Sequence, residues 1–304
     1  MIKIPVLCTT ATFAAKNFPD QLNFIYNPYN RKLSESEVIK LVKEYQPIAI
    51  IAGLEPITRE VIQEATMLRI ISRCGVGLDN IDLAAAEEMG IKVYKTPDAP
   101  VKPVAELAAT MIYALTRNLL KQDAKTRSGS WEKVNARLLS ELTVGILGCG
   151  RIGTRVALLL HETGCRLIGY DILEFTDKYI ERVTYNDLLT TSDIISLHIP
   201  LSPQNWHIIG HDEIKKMKRG AIIINTSRGG LIDEVALYES LKNGHLGGAG
   251  LDVFEKEPYN GLLDGLDNVI LTPHAGSSAG GSRLRMEEES VDNLINGLKE
   301  LAMI

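Results

Sequence analysis

Arg228, Glu257 and His274 stand in that order in three short segments, "NTSRGG" (225 to 230), "LDVFEKEP" (251 to 258) and "TPHAG" (272 to 276). Together they make a complete set for taking a proton from a hydroxyl that neighbours a carboxylate. Histidine titrates near the working pH, so it is the natural proton acceptor. A carboxylate hydrogen-bonded to an imidazole stabilises the imidazolium, the role open to Glu257. The guanidinium of Arg228 presents a planar fork that matches a substrate carboxylate. Taken singly, each residue also fits a bland role: a surface charge, a solvated loop acid, a capping or core histidine. Their joint order carries the argument, and oxidation at such a carbon further requires a hydride carrier.

A carrier site is legible upstream, in "LTVGILGCGRIGTRVALLLHETGCRLIGYD" (142 to 171). A GxGxxG string alone is weak evidence, but here an apolar strand, "TVGILG", leads into it and a helical pattern, "RVALLLHETG", follows. Gly148 permits the tight turn, Gly150 lets the backbone approach a pyrophosphate, and Gly153 allows close helix packing. Free N–H groups at the helix start face the anion. About twenty residues on, "RLIGYD" ends in Asp171, placed to accept from both ribose hydroxyls and to repel a 2′-phosphate, which favours NAD over NADP. Packing glycines with a capping Asp are the bland alternative. An adenosylmethionine site could share the turn but leaves the later motifs unexplained.

These residues need a scaffold that brings loop ends together. Short Val-, Ile- and Leu-rich runs alternate with helical patterns along the chain, the sign of an α/β protein built from βαβ units with parallel sheets. The first series of strands is "IPVL", "NFIY", "IAII", "RIIS" and "KVYK"; its helix "SESEVIKLVKEY" (34 to 45) opens with Ser34 and Glu37 as a capping box. "TPDAPVKP" (96 to 103) interrupts with three prolines and is read as a domain hinge before a long apolar helix, Val104 to Leu120. The second series is "TVGILG", "RLIGYD", "DIISLHI", "AIIINTS", "GGAGLDVF" and "NVILTPH". The motifs lie at predicted strand ends, where open α/β sheets bind ligands. The final amphipathic segment, "GSRLRMEEESVDNLINGLKEL", is too short to be a domain and must pack on one already built.

Composition limits the partners. At 304 residues the chain is long enough for two domains. Asp and Glu outnumber Lys and Arg, 38 to 33, with no dense basic run, which argues against nucleic acid and anionic lipid and for a small-molecule partner. No apolar stretch spans a bilayer or serves as a secretory signal, so a cytoplasmic location is expected. Cys8, Cys74, Cys149 and Cys165 lack C-x-x-C spacing and no H-x-x-x-H pair occurs, so no metal is expected and the thiols read as reduced core residues. Cys74 and Cys149 lie in the two turns expected to bind ligands; a redox sensor is conceivable, but small apolar packing is the reading adopted.

With these motifs in view, the chain resembles the D-isomer-specific 2-hydroxyacid dehydrogenases, and within them most closely the 3-phosphoglycerate dehydrogenases. "SRCGVGLDNIDLAAAEEMGI", "VAELAATMIYAL", "TVGILGCGRIG", "SLHIPLS", "NTSRGGLIDEVAL", "GAGLDVFEKEP" and "TPHAGSS" match the family's landmarks in order. The resemblance implies Arg228, Glu257 and His274 as the catalytic group. Asp252 would hold the nicotinamide carboxamide, Arg151 and Ile152 would meet the pyrophosphate through their backbone, and His198, Pro200, Thr226 and Gly276 would line the NAD site. Amides of Val76 and Gly77 would bind the substrate carboxylate, with Arg73 nearby for a phosphate.

It also implies two doubly wound parallel-sheet domains with the active site in the cleft between: a flavodoxin-like substrate domain, 1 to 97 plus 278 to 304, and a Rossmann cofactor domain, 98 to 277. A homodimer through the cofactor domain is implied, with the Val104 to Leu120 helix as the candidate contact; a buried intradomain helix fits that segment as well. Because the chain ends at Ile304, the regulatory C-terminal domain of some phosphoglycerate dehydrogenases is expected to be absent.

The match departs from the phosphoglycerate group where an Arg often follows the third strand: this chain has Gly53, Leu54 and Glu55. A carboxylate there would repel a phosphate by on the order of 1 kcal/mol if exposed at contact distance. Lys102, in "APVKPVAE", could replace a phosphate contact or simply be a solvated hinge charge, the reading adopted. The expected reaction is hydride transfer between NAD and C2 of a D-2-hydroxy acid, 3-phosphoglycerate above all, which would place the chain in serine synthesis. Hydroxypyruvate, glyoxylate or another unphosphorylated oxo acid is the alternative that Gly53 to Glu55 motivate. An NAD(H)-sensing corepressor-like scaffold is a further alternative, disfavoured because the catalytic group is complete.

Overall fold

The runs at Ala49–Ala52, Ile70–Arg73, Ile194–Leu197 and Ala221–Asn225 become strands buried on both faces, which is what a parallel sheet covered by helices on each side requires. Residues 3–16 and 18–304 are described in the computed structural model. The chain divides into two compact units, Met1–Pro100 with Ser278–Ile304, and Val101–Ser277.

In the first unit β1 (Ile4–Cys8), β2 (Leu22–Tyr26), α1 (Glu35–Tyr45), β3 (Ala49–Ala52), α2 (Arg59–Glu64), β4 (Ile70–Arg73), α3 (Leu83–Glu88) and β5 (Lys92–Lys95) follow in turn. The strands form one sheet in the order β2-β1-β3-β4-β5, every pair parallel. Ser34 and Glu37 make the expected capping box at the start of α1.

The second unit opens with α4 (Val101–Thr116) and α5 (Leu119–Arg127). It continues through β6 (Thr143–Leu147), α6 (Arg151–His161), β7 (Arg166–Tyr170), β8 (Glu181–Arg182), α7 (Tyr185–Thr191), β9 (Ile194–Leu197), α8 (His211–Lys216), β10 (Ala221–Asn225), α9 (Glu234–Lys242), β11 (Leu246–Leu251) and β12 (Val269–Leu271). Its parallel sheet has the order β12-β11-β10-β9-β6-β7-β8. The order reverses direction between β6 and β9, and that switch point is where a doubly wound sheet opens a crevice for a ligand.

The last helix, α10 (Gly280–Glu300), belongs to the first unit. Met286, Val291, Leu294 and Leu298 pack with Val6, Cys8, Ile51 and Ile70 of that sheet. Leu294 and Leu298 are fully enclosed, and such burial stabilises by about 1.5–3 kcal/mol per side chain. Buried Glu287 accepts from the amides of Ala14 at 2.7 Å and Ala15 at 3.1 Å and from Arg283 Nε at 2.8 Å, tying the segment after β1 to the helix.

The helix read as Val104 to Leu120 is two helices. α4 starts at Val101, with Pro103 in its first turn, where a missing N–H costs no intrahelical bond. It ends at Thr116, because Asn118 adopts φ 51°, a left-handed conformation that Asn tolerates, and donates through Nδ2 to the Asn135 carbonyl at 2.6 Å. The edge strand β8 is two residues long, too short to carry a period in the sequence. Among the described residues no helix is long and apolar enough to cross a membrane.

Candidate active site

The glycine turn joins β6 to α6 at the switch point. Gly148 takes φ +98°, and a Cβ on it would lie 2.7 Å from the His198 carbonyl carbon. A Cβ on Gly153 would lie 2.0 Å from the Gly148 oxygen, so helix and turn approach as closely as only glycine allows. A Cβ on Gly150 would meet nothing within 4 Å. Open space thus adjoins Gly150, the N-cap, and the N–H groups of Arg151 and Ile152 that follow it open α6 ahead of its first ladder bonds. This cradle fits a pyrophosphate.

Asp171, beyond β7, receives the Cys149 amide on Oδ2 at 2.8 Å and the Leu173 amide on Oδ1 at 3.0 Å. Each oxygen keeps a second lone pair, so the residue braces the turn and still has acceptors for a ribose.

Thr226, 8% exposed, buries an Oγ1 with no hydrogen-bond partner among the described residues. Such an orphan hydroxyl is costly unless a ligand completes it, and it too fits a cofactor. His198 bonds Ser196 Oγ through Nε2 at 2.8 Å, and burial of the ring lowers its pKa to about 3. It is therefore neutral and no proton carrier. Pro200 is exposed, its carbonyl taken by Asn205 Nδ2 at 2.7 Å.

Arg228, Glu257 and His274 follow β10, β11 and β12, three adjacent strands, at their carboxyl ends. Glu257 grips His274 Nδ1 at 2.9 Å through Oε2 and 3.1 Å through Oε1; both side chains are about three-quarters buried. With a proton on Nδ1 facing that carboxylate, Nε2 is the nitrogen available to a substrate. The arginine is half-buried, with Nη1 donating to the Ser227 carbonyl at 2.7 Å, and Asn225 Nδ2 holds the Arg228 carbonyl at 2.8 Å.

Two residues organise this group in ways that the sequence did not show. Asp252, 1% exposed, accepts from Thr272 Oγ1 at 2.6 Å and the Ala275 amide at 2.7 Å on Oδ1, and from the Gly276 amide at 2.8 Å on Oδ2. Its carbonyl takes the His274 amide at 2.9 Å, so it shapes the histidine loop, with one lone pair of Oδ2 remaining for a carboxamide. Gly229 is the second: a Cβ there would lie 1.8 Å from the carbonyl carbon of Phe254. The arginine turn thus rests directly on the backbone that leads to Glu257. The paired glycines of "SRGG" were the available signal.

His207 bonds Glu255 Oε1 at 2.9 Å and braces the same backbone.

Arg73, Val76 and Gly77 belong to the first unit. Val76 is exposed and Gly77 half-exposed in the turn after β4, where Gly75 (φ +149°) is held by Thr96 Oγ1 at 2.7 Å. Arg73 is only 4% exposed; its Nη1 donates to the Cys74 carbonyl, and its guanidinium fills the place of a side chain on Gly75. Lys102 is exposed in the first turn of α4. All four cysteines are buried and free. Burial pushes the Cys74 thiol up to about 11 and Cys149 up to about 12, which keeps both protonated and unreactive.

Residues 109–276 match the family model for the D-isomer specific 2-hydroxyacid dehydrogenase, NAD binding domain. The chain is 40% identical over 273 residues to a hydroxypyruvate reductase of Thermotoga maritima, covering 88% of this chain and 89% of that protein. It is 43% identical over 255 residues to a D-3-phosphoglycerate dehydrogenase of Methanocaldococcus jannaschii, covering 81% of this chain but 48% of that protein. The crystal structure of D-lactate dehydrogenase from Aquifex aeolicus complexed with NAD and lactic acid superposes with a TM-score of 0.85 at 28% identity, covering 99% of this chain and 97% of that one. A cofactor turn of this geometry, a carboxylate-held histidine at the same sheet edge and these likenesses meet in one conclusion: the chain belongs to the D-isomer specific 2-hydroxyacid dehydrogenases and is an NAD-dependent dehydrogenase.

Proposed function

We propose that this dehydrogenase interconverts a short, unphosphorylated 2-oxo acid, of the hydroxypyruvate or glyoxylate type, and its D-2-hydroxy acid. The bond between His274 Nδ1 and Glu257 Oε2 at 2.9 Å is the observation that carries the catalytic assignment. Bound NADH supplies the hydride to C2. His274 Nε2 gives the proton to the carbonyl oxygen as it becomes a hydroxyl, and recovers it in the reverse direction. Glu257 holds the ring and stabilises its charged form, while Arg228 orients the carboxylate and carbonyl oxygens. Arg151, Ile152, Asp171, Thr226 and Asp252 hold the cofactor.

Arg73 supports an unphosphorylated substrate, because its guanidinium is enclosed and engaged by the Cys74 carbonyl. A second reading, 3-phosphoglycerate with 3-phosphohydroxypyruvate and hence serine synthesis, is supported by the likeness to the Methanocaldococcus jannaschii enzyme. NADH oxidation with 3-phosphohydroxypyruvate, hydroxypyruvate, glyoxylate and pyruvate separates the two. We expect an unphosphorylated acid to have the highest kcat/KM. A preference for the phosphorylated acid of about a hundredfold, about 2.7 kcal/mol of transition-state discrimination, would establish the second reading instead.

We also propose a homodimer through the cofactor unit. Trp131 is 91% exposed, and Leu119, Leu120 and Leu138 are each more than half exposed on the same unit, apolar side chains that a second copy would cover. Sedimentation of the wild type should give a dimer that Trp131→Ser weakens; a wild-type monomer at micromolar concentration would end the idea.

A further inference from the structure

Arg228 and Glu257 stand on separate loops of the second unit, one after β10 and one after β11, and their spacing depends on what ties those loops together. One tie is a pair of glutamates that exchange backbone hydrogen bonds. The Glu255 amide donates to Glu234 Oε1 at 2.7 Å, and the Glu234 amide donates to Glu255 Oε1 at 3.3 Å. Glu234 opens α9, shortly after the arginine turn, and Glu255 stands two residues before Glu257. Two carboxylates are thereby drawn together. Burial pushes the Glu234 carboxyl up and the Glu255 charge adds to the rise, while His207 opposes it.

The segment before α8 supplies that counter-charge. His207 Nε2 bonds Glu255 Oε1 at 2.9 Å, and Nδ1 lies 4.0 Å from Asp233 Oδ2, so Asp233, Glu234 and Glu255 are the acidic groups around the ring. The backbone of the same segment is fastened to the arginine turn. The His207 amide donates to the Gly230 carbonyl at 2.8 Å and the Ile209 amide to the Leu231 carbonyl at 3.0 Å, and the Trp206 ring fills the place of a side chain on Gly230. One segment therefore grips the arginine turn by its backbone and the loop leading to Glu257 by its imidazole. His207 does this at φ 53°, a left-handed conformation that Gly or Asn adopts more readily, so the turn by itself does not call for histidine.

We propose that His207 is a positioning residue for the dehydrogenase reaction: a counter-charge that holds the two glutamate-linked loops, and through them Arg228 and Glu257, at the spacing the reaction needs. The inference rests on the reading of Arg228, Glu257 and His274 as the catalytic group. A charged imidazole attracts the carboxylates and a neutral one keeps only a hydrogen bond, so the hold is strongest at low pH and weakens as pH rises through the range in which histidines lose their charge.

The test measures kcat and KM with whichever of hydroxypyruvate, glyoxylate, pyruvate and 3-phosphohydroxypyruvate the wild type reduces fastest. His207→Asn suits the left-handed turn but stops short of Glu255, and should lower kcat about tenfold at about pH 6, equivalent to about 1.4 kcal/mol, with KM for NADH within about twofold of wild type. His207→Gln puts an amide near the place of Nε2, restoring the hydrogen bond without the charge. Its kcat should approach that of the wild type as pH is raised from about 6 to about 8. Taking the ratio of wild type to variant cancels the titration of His274, which both share. A loss of less than about threefold in the Asn variant, or a ratio for the Gln variant that stays constant or grows with pH, overturns the proposal, because a merely structural contact has no such dependence.

Should the substitutions at His207 prevent folding, Glu255→Gln decides. It removes the charge that His207 faces and keeps an acceptor, so the ratio of wild-type to variant kcat must fall with pH in the same way; a constant ratio rejects the role. Full turnover in His274→Ala would overturn the catalytic reading and this role together, whereas a crippled His274→Ala beside an unaffected His207→Asn overturns the role alone.

Discussion

Replacing His274 by alanine is expected to lower kcat for 2-oxo acid reduction by roughly 10²–10⁴-fold, the usual worth of a positioned acid–base group, and to leave NADH binding nearly intact. The ring is held by Glu257 through Nδ1 and has one nitrogen left for the substrate oxygen, so its loss removes the proton and not the cofactor site. No second histidine can step in at His198, because burial pulls that pKa down to about 3 and its Nε2 is engaged by Ser196. NADH titration by fluorescence beside steady-state rates separates the two effects. An alanine variant with wild-type turnover would remove His274 from the chemistry. Loss of NADH binding together with turnover would show that the side chain supports the fold of its loop.

Asp252→Asn should be nearly as damaging, through a different route. The carboxylate receives three donors, from Thr272, Ala275 and Gly276, in a site 1% exposed. An amide has an NH₂ where the carboxylate has an oxygen, so in either orientation at least one donor faces another donor. Each buried unsatisfied group costs about 1–3 kcal/mol. For a unit of this size that corresponds to a fall in melting temperature on the order of 2–12 °C. The loop it shapes carries His274, whose own amide donates to the Asp252 carbonyl. Turnover should therefore fall more steeply than the folded fraction measured at the assay temperature. Calorimetry and kcat on the same sample check this, and an Asn variant with unchanged melting and unchanged rate would show that the three bonds do not organise the loop.

Much of the scaffold was legible because its signals are local. Alternation of apolar runs with helical patterns reports a parallel sheet covered on both faces, and the strands at "TVGILG" and "AIIINTS" lie where those runs stand. The Ser34 and Glu37 box needs only a spacing of three residues and is present. The break at Asn118 was not legible, since an Asn inside an apolar helical pattern leaves the left-handed conformation optional until a partner such as the Asn135 carbonyl selects it. The bracing of Glu255 by His207 joins segments 48 residues apart and leaves no trace in either one.

By itself the sequence determined the fold class, the glycine turn with Asp171, and the residue types available to the chemistry. These follow from period, short spacing and side-chain pKa, properties each segment carries alone. Only the tertiary structure decided where the side chains at the strand ends point. It set Glu257 on His274, committed Asp252 to the histidine loop, packed Arg73 against Gly75 and turned Glu55 inward between β1 and β3. The reason is physical: a loop side chain settles by the donors and the space that neighbouring strands leave for it. Those depend on strand order and register, which no single segment contains.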